Sequence, residues 1–293
     1  MIRRLLHRIT GRGRLALALA GALACVLSAG AATAQPVRAE AVAEGVYAVF
    51  GESALGSRAN RNHISNAGFV VADGGVVVID ALGSPVLAEE FVAEIRRITP
   101  LPIRAVVVTH YHADHIYGLQ VFRRLGARIV AHARSREYLG SETAQQRLAV
   151  SREELEPWID ENTQLQAPDT WLGEDGRPVD EVLRVGTTEL RIRHAGPAHT
   201  PEDLVVHVPA RGVLFAGDLV FRGRIPFVGQ ADSRRWIGAL EGLLALQPRL
   251  VVPGHGPVST TPMADLALTR DYLAYLRRTM GEAARNMEPF DEA

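Results

Sequence analysis

Residues 103–115 read I-R-A-V-V-V-T-H-Y-H-A-D-H: a valine-rich apolar run with a histidine and aspartate cluster directly behind it. An unbroken run of this kind reads as a strand buried on both faces, which requires covering layers above and below it. The chain around it must therefore build an interior sheet, and the polar cluster must emerge where that sheet ends.

The flanking sequence supplies such layers. V-Y-A-V-F (46–50), G-F-V-V-A (68–72) and V-V-V-I-D (76–80) read as strands, the last two joined by the turn Asp73-Gly74-Gly75. Ser84 is placed to cap a helix through about Ile98, ended by Pro100 and Pro102; the buried strand 103–110 follows. A helix over about Ile116–Leu125, a strand at 128–132 and a helix from about Ser151 complete the first half. The second half repeats the grammar, with strands at 181–185, 188–194, 204–208 and 212–217. Helices over Ser233–Leu246 and Pro262–Gly281 flank a strand R-L-V-V-P. Strand pairs with covering helices, occurring twice, predict an α/β fold of two packed sheets with helices outside.

At the end of an extended strand, His110 and His112 project to the same side and can reach one ion, while Asp114 and His115 face a neighbouring position. Four donors so tightly spaced cannot all wrap one tetrahedral ion without strain, so the spacing points to two metals. Further donors are expected where other strands end. His199 in H-A-G-P-A-H-T-P-E-D, Asp218 behind V-L-F-A-G and His255 in V-V-P-G-H-G-P each stand just past an apolar run. The glycines beside His255 allow close backbone approach. Of the other histidines, His207 reads as a strand residue, His132 and His194 as candidates to orient ligands, and His63 as a loop residue near the cleft. Arg222 and Arg224, in F-R-G-R-I-P, are candidates for contact with an anionic substrate group.

Charge excludes one class of partner: a formal net charge of -1 leaves no basic footprint for nucleic acid. Arg3, Arg4, Arg8, Arg12 and Arg14 precede an apolar stretch from Leu15 to about Ala32, closed by Ala32-Thr33-Ala34. This is the pattern of a cleaved secretory signal, residues 1–34, with residues 35–293 as the mature domain in the periplasm or secreted. Gly21, Ser28 and Gly30 interrupt the stretch, which argues against stable membrane insertion. The one cysteine, Cys25, falls in that segment, so a metal site in the mature chain must use nitrogen and oxygen donors.

Taken in order, H-x-H-x-D-H at 110–115, then G-P-A-H-T, A-G-D and P-G-H-G, the motifs resemble those of the metallo-β-lactamase superfamily, over roughly Val46 to Pro257. The resemblance implies a four-layer αβ/βα sandwich with a dizinc cleft at one edge, iron or manganese being alternatives. It implies that His110, His112 and His199 bind one metal, that Asp114, His115 and His255 bind the other, and that Asp218 bridges. It also implies a hydrolase of a small-molecule substrate: metal binding lowers the pKa of water from about 15.7 to about 7, and Asp114 orients the resulting nucleophile. Asp218 is similar to the thioesterase and lactonase branches, which suggests an ester, thioester or lactone. Many β-lactamases of the group place another residue at the bridge and use a lysine, which this chain lacks. The nearest likeness is to exported SoxH-like or quinoprotein-relay metallohydrolases. Alternatives are β-lactam ring opening, di-iron redox chemistry and a non-catalytic metal-binding module.

Overall fold

Every residue of β4 (Gly75–Ile79) and β11 (Val213–Phe221) is buried, which is why neither run shows polar alternation. The two faces of each strand nevertheless go to different places. Val76 and Val78 point to a core shared with Phe69, Phe91, Ile95 and Phe122, whereas Val77 and Ile79 meet Val206, Phe215 and Val252. In β11, Val213 and Phe215 join that central core, and Leu214 and Ala216 pack outward with Trp236, Leu240 and Leu273. Three apolar layers between four layers of secondary structure result: helix, sheet, sheet, helix. Burying a side chain such as Phe91 contributes about 1.5–3 kcal/mol.

This computed structural model describes residues 36–289; the N-terminal segment expected to be an export signal lies outside them. β1 (Glu40–Ala43), β2 (Val46–Val49), β3 (Ala67–Ala72) and β4 form an antiparallel meander. The sheet continues in parallel through β5 (Ile103–Val107), β6 (Arg128–His132) and β7 (Thr170–Leu172). The second sheet has the order β12-β11-β10-β9-β8, with β8 (Asp180–Val185), β9 (Thr188–His194), β10 (Leu204–Val208) and β12 (Leu250–His255). Only its β11–β12 pair is parallel. Helix α1 (Pro85–Ile98) buries Leu87, Phe91 and Ile95, one stripe at helical spacing. Short helices α2 (Ala113–Ile116) and α3 (Leu119–Arg124) follow, then α4 (Ser135–Leu139) and α5 (Glu142–Leu155). α6 (Ser233–Ala245) and α7 (Pro262–Asn286) cover the second sheet.

Several local expectations are corrected. Ser84 stands at the N-cap of α1, but its hydroxyl makes no capping bond and Pro85 opens the helix instead. α5 begins a full nine residues before Ser151, because Ser141 Oγ accepts the Ala144 N–H at 3.1 Å; Ser151 is buried inside the helix. The expected helix 116–125 is two helices broken at Gly118, where a Cβ would lie 2.0 Å from the Ala81 carbonyl oxygen. Strand 103–110 stops at Val107. β1, β7 and α4, of four, three and five residues, are too short to be read from pattern.

Candidate metal centre

β5 stops because the next groups are claimed by other partners. The Thr109 N–H donates to Asp80 Oδ1 at 2.7 Å and its hydroxyl to Asp80 Oδ2 at 2.8 Å. Tyr111 is fully buried, its N–H on Glu202 Oε1 at 3.2 Å and its hydroxyl on the Gln166 carbonyl at 2.9 Å. Pinned on both sides, the segment turns His110 and His112 to a common side, with ring centroids 4.7 Å apart. The single turn of α2 then presents Asp114 and His115. The other sheet contributes His199 from the β9–β10 loop, Asp218 from within β11 and His255 from the end of β12.

The structure brings all seven residues together, in two adjoining groups. His110, His112, His199 and Asp218 form one, and Asp114, His115 and His255 the other; within each, the donor atoms lie within 4.8 Å of one another. Asp218 stands between the two. Its Oδ2 is 3.4 Å from His199 Nε2 and 3.3 Å from His255 Nε2, and its Oδ1 is 3.2 Å from His115 Nε2. Gly254 makes room for this carboxylate, since a Cβ there would lie 1.9 Å from Asp218 Oδ1. Asp114 Oδ2 lies 3.3 Å from His255 Nε2, and its side chain is the most exposed of the second group.

Four of the imidazoles have one nitrogen tied to a protein partner on the side away from the cluster. His115 Nδ1 lies 2.9 Å from Asp80 Oδ2, His199 Nδ1 3.1 Å from the Phe227 carbonyl and His255 Nδ1 2.7 Å from the Ile64 carbonyl. His110 Nδ1 is 3.1 Å from the Thr109 hydroxyl, whose own hydrogen goes to Asp80. A proton fixed on Nδ1 leaves the Nε2 lone pair facing inward, as a metal ligand requires. His112 instead turns Nδ1 inward, 3.1 Å from His199 Nε2.

The electrostatics differ between the groups. Burial drives His110 well below the ordinary histidine range and His199 to about 3, and it also lowers His112, so these rings are neutral. Burial acts the same way on His115 and His255, but the nearby carboxylates of Asp218 and Asp114, with Asp80 also beside His115, outweigh it and raise both. Burial would raise Asp218, yet the histidines around it, His255 and His115 foremost, hold it well below the usual carboxylate range.

The residues fit a pair of cations. His110 Nε2, His115 Nε2 and Asp218 Oδ1 are buried with no hydrogen-bond partner, an arrangement that is costly unless something charged lies between them. Neutral imidazoles and carboxylates are the donors that zinc, iron or manganese accept.

The remaining sequence candidates are placed elsewhere. Arg222 donates to the Pro257 and Val258 carbonyls at 3.1 and 2.7 Å and pairs with Asp265 Oδ2 at 3.0 Å, a tie between β11, the loop after β12 and α7. Arg224 does sit beside the centre, Nη1 3.3 Å from His255 Nδ1. His132 and His194 orient no ligand: their rings stack on each other, 3.8 Å apart, and their nitrogens meet the Arg134 N–H and the Pro201 carbonyl. His63 is buried outside the cluster. His207 lies mid-strand in β10. Sequence reasoning missed Asp80, although it stands directly behind V-V-V-I, the same signal that singled out Asp218. It also missed Phe221, whose ring stacks on His255 at 5.1 Å.

Paired sheets between outer helices, with histidine and aspartate clusters at the shared edge, define an αβ/βα sandwich that carries a candidate binuclear metal centre. The sequence profile of the metallo-beta-lactamase superfamily matches residues 61–255, more than half of the chain, and the chain belongs to that superfamily. Among curated relatives, it is 24% identical over 240 residues to a linear primary-alkylsulfatase of a Pseudomonas species, covering 71% of this chain and 45% of the relative. It thus spans less than half the length of that protein. It is 24% identical over 200 residues to the metallo-beta-lactamase IND-1 of Chryseobacterium indologenes, covering 67% of this chain and 73% of the relative. Among solved structures, a metallo-beta-lactamase from Pontibacter korlensis has a TM-score of 0.62 at 22% identity, covering 81% of this chain and 99% of that one. The structure of TMB-1 has a TM-score of 0.64 at 19% identity, covering 82% and 98%. These structural likenesses share the fold. Among the described residues, no helix is long and apolar enough to cross a membrane.

Proposed function

We propose that the chain is an exported binuclear hydrolase, zinc-dependent, that cleaves a small ester, thioester or lactone. The observation that carries this reading is Asp218: one buried carboxylate with Oδ1 toward His115 and Oδ2 toward His199 and His255, between two histidine groups. His110, His112 and His199 would hold one ion, Asp114, His115 and His255 the other, and Asp218 both. Two such ions supply a water acidic enough to ionise near neutral pH and a Lewis acid for the substrate carbonyl.

The chain's own groups do the rest. Asp80 and the Ile64 and Phe227 carbonyls keep protons on the outward nitrogens of His115, His255 and His199, so that the inward lone pairs stay available. Asp114, on the more open side, accepts the proton of the attacking water and returns it to the leaving group.

The test is metal analysis of protein recovered from the periplasm, then a panel of ester, thioester, lactone, β-lactam and alkyl sulfate substrates with and without chelator. Two ions per chain and chelator-sensitive turnover of an ester, thioester or lactone are expected. Turnover confined to the β-lactam would assign the activity of the lactamase relatives instead; a chain that binds no ion would end the proposal. Cell fractionation tests export.

A further inference from the structure

A cavity of about 210 Å³ opens beside the metal centre, and His112 forms part of its wall. The β9–β10 loop supplies Thr200 and Glu202 to it, α4 supplies Tyr138, α5 Thr143 and the loop after β11 Gln230. Each carries a polar group, so a ligand here is recognised by hydrogen bonds more than by apolar area. Part of that capacity is already used. The Thr200 hydroxyl donates to Asp203 Oδ1 at 2.7 Å, Ser141 Oγ donates to the Tyr138 carbonyl at 2.7 Å, and the exposed Glu137 pairs with Arg134 at 2.7 Å.

Two groups keep capacity to spare. Tyr138 packs its ring against the core of the first sheet, and among the described residues no partner meets its hydroxyl. Burial, with Tyr117, Glu202 and Asp114 nearby, raises its pKa above the ordinary tyrosine range, so it stays a neutral O–H with a hydrogen to give. Glu202 is only 4% exposed; its Oε1 accepts the Tyr111 N–H at 3.2 Å, and among the described residues no other residue donates to Oε2. A carboxylate oxygen so enclosed calls for a donor. An anion beside it would be repelled. A donor and an acceptor in one small cavity match a neutral group that offers both in return.

We infer that this cavity is a substrate subsite, in which Tyr138 donates to an oxygen, and Glu202 accepts from an O–H or N–H, of a neutral hydroxyl or amide group carried close to the scissile bond. The inference rests on the proposed hydrolysis at the adjoining centre and narrows its substrates to those that bear such a group. Tyr138 and Glu202 act as specificity residues, and Thr200 and Ser141, bonded within the protein, do not.

The probe is δ-valerolactam, an unstrained amide that resists hydrolysis, titrated into metal-loaded and chelator-treated protein and read by ligand-observed NMR. Its carbonyl addresses Tyr138 and its N–H addresses Glu202. N-methyl-δ-valerolactam, which lacks that N–H, should bind at least about tenfold more weakly in both forms, the loss of one hydrogen bond to a charged group. Tyr138→Phe keeps the packed ring and should weaken both lactams about 2–12-fold, the loss of one neutral hydrogen bond. Thr143 is exposed, and Thr143→Trp should block binding by filling the cavity, which carries the test if Tyr138→Phe does not fold. Circular dichroism confirms the fold of each variant. Equal affinity for the two lactams, no binding, or folded variants that bind like the parent would overturn the inference. Failure of the hydrolase reading appears separately, as absence of chelator-sensitive turnover while δ-valerolactam still binds.

Discussion

Asp80→Asn isolates what a single buried carboxylate does for the centre. Asp80 has φ 60°, a left-handed conformation that asparagine tolerates, so the backbone can stay as it is. Its three contacts, at 2.7, 2.8 and 2.9 Å, all require an acceptor. The amide oxygen of asparagine can keep the Thr109 N–H. Its NH2 must then face the Thr109 hydroxyl and His115 Nδ1, where it donates instead of accepts. To meet it, His115 must move its proton to Nε2, aimed at Asp218 Oδ1, and lose the inward lone pair. Each hydrogen bond to a charged group is worth about 1.5–3 kcal/mol, so unfolding in denaturant with chelator present should lose a few kcal/mol. Metal affinity at the second group should fall about 10–100-fold, and less at the His110, His112 and His199 group, which meets Asp80 only through the Thr109 hydroxyl. A competition titration against a chromophoric chelator reads the two affinities separately. Two parent-like affinities would show that the orientation of His115 does not depend on Asp80.

Asp114→Asn should reduce turnover by about 10²–10⁴-fold, and near-parent kcat would remove Asp114 from proton transfer. Gly254→Ala places a methyl on Asp218, and overpacking of this kind costs about 1–3 kcal/mol; a variant with parent melting temperature and two bound ions would contradict the packing argument. Burial, with His194 and Arg134 nearby, lowers His132 to about 4 from an ordinary 6.5. The folded state thus binds fewer protons than the unfolded state between those values, so stability is full above about pH 6.5 and falls as pH drops toward 4. Over that window the parent should lose on the order of 1–3 kcal/mol more than His132→Gln, read as a shift in urea midpoint. Identical pH profiles would refute it.

The sandwich is legible because valine runs such as 76–79 and 105–108 have no polar face, so layers on both sides are compulsory. The donors are legible because each is a titratable residue a few positions behind an apolar run, although Asp218 lies inside β11, which continues to Phe221. What escapes sequence is whatever depends on partners remote in the chain. Arg222 and Arg224 sit two residues apart and look alike, yet one meets Asp265 and two carbonyls while the other faces a histidine that cannot accept from it. The stack of His132 on His194 joins the ends of strands in different sheets, a juxtaposition no spacing encodes. The start of α5 escapes sequence because Ser141 accepts a backbone N–H in a bond that only the fold reveals, whereas Ser84 marks the N-cap of α1 as its position predicts, without such a bond.

The donors are divided between the sheets, with 110–115 on one and His199, Asp218 and His255 on the other. Neither half can grip an ion well while separate, so tight capture has to wait until the halves have docked. Renaturing protein should therefore acquire its cations late and all together, and the ions then clamp a joint already made.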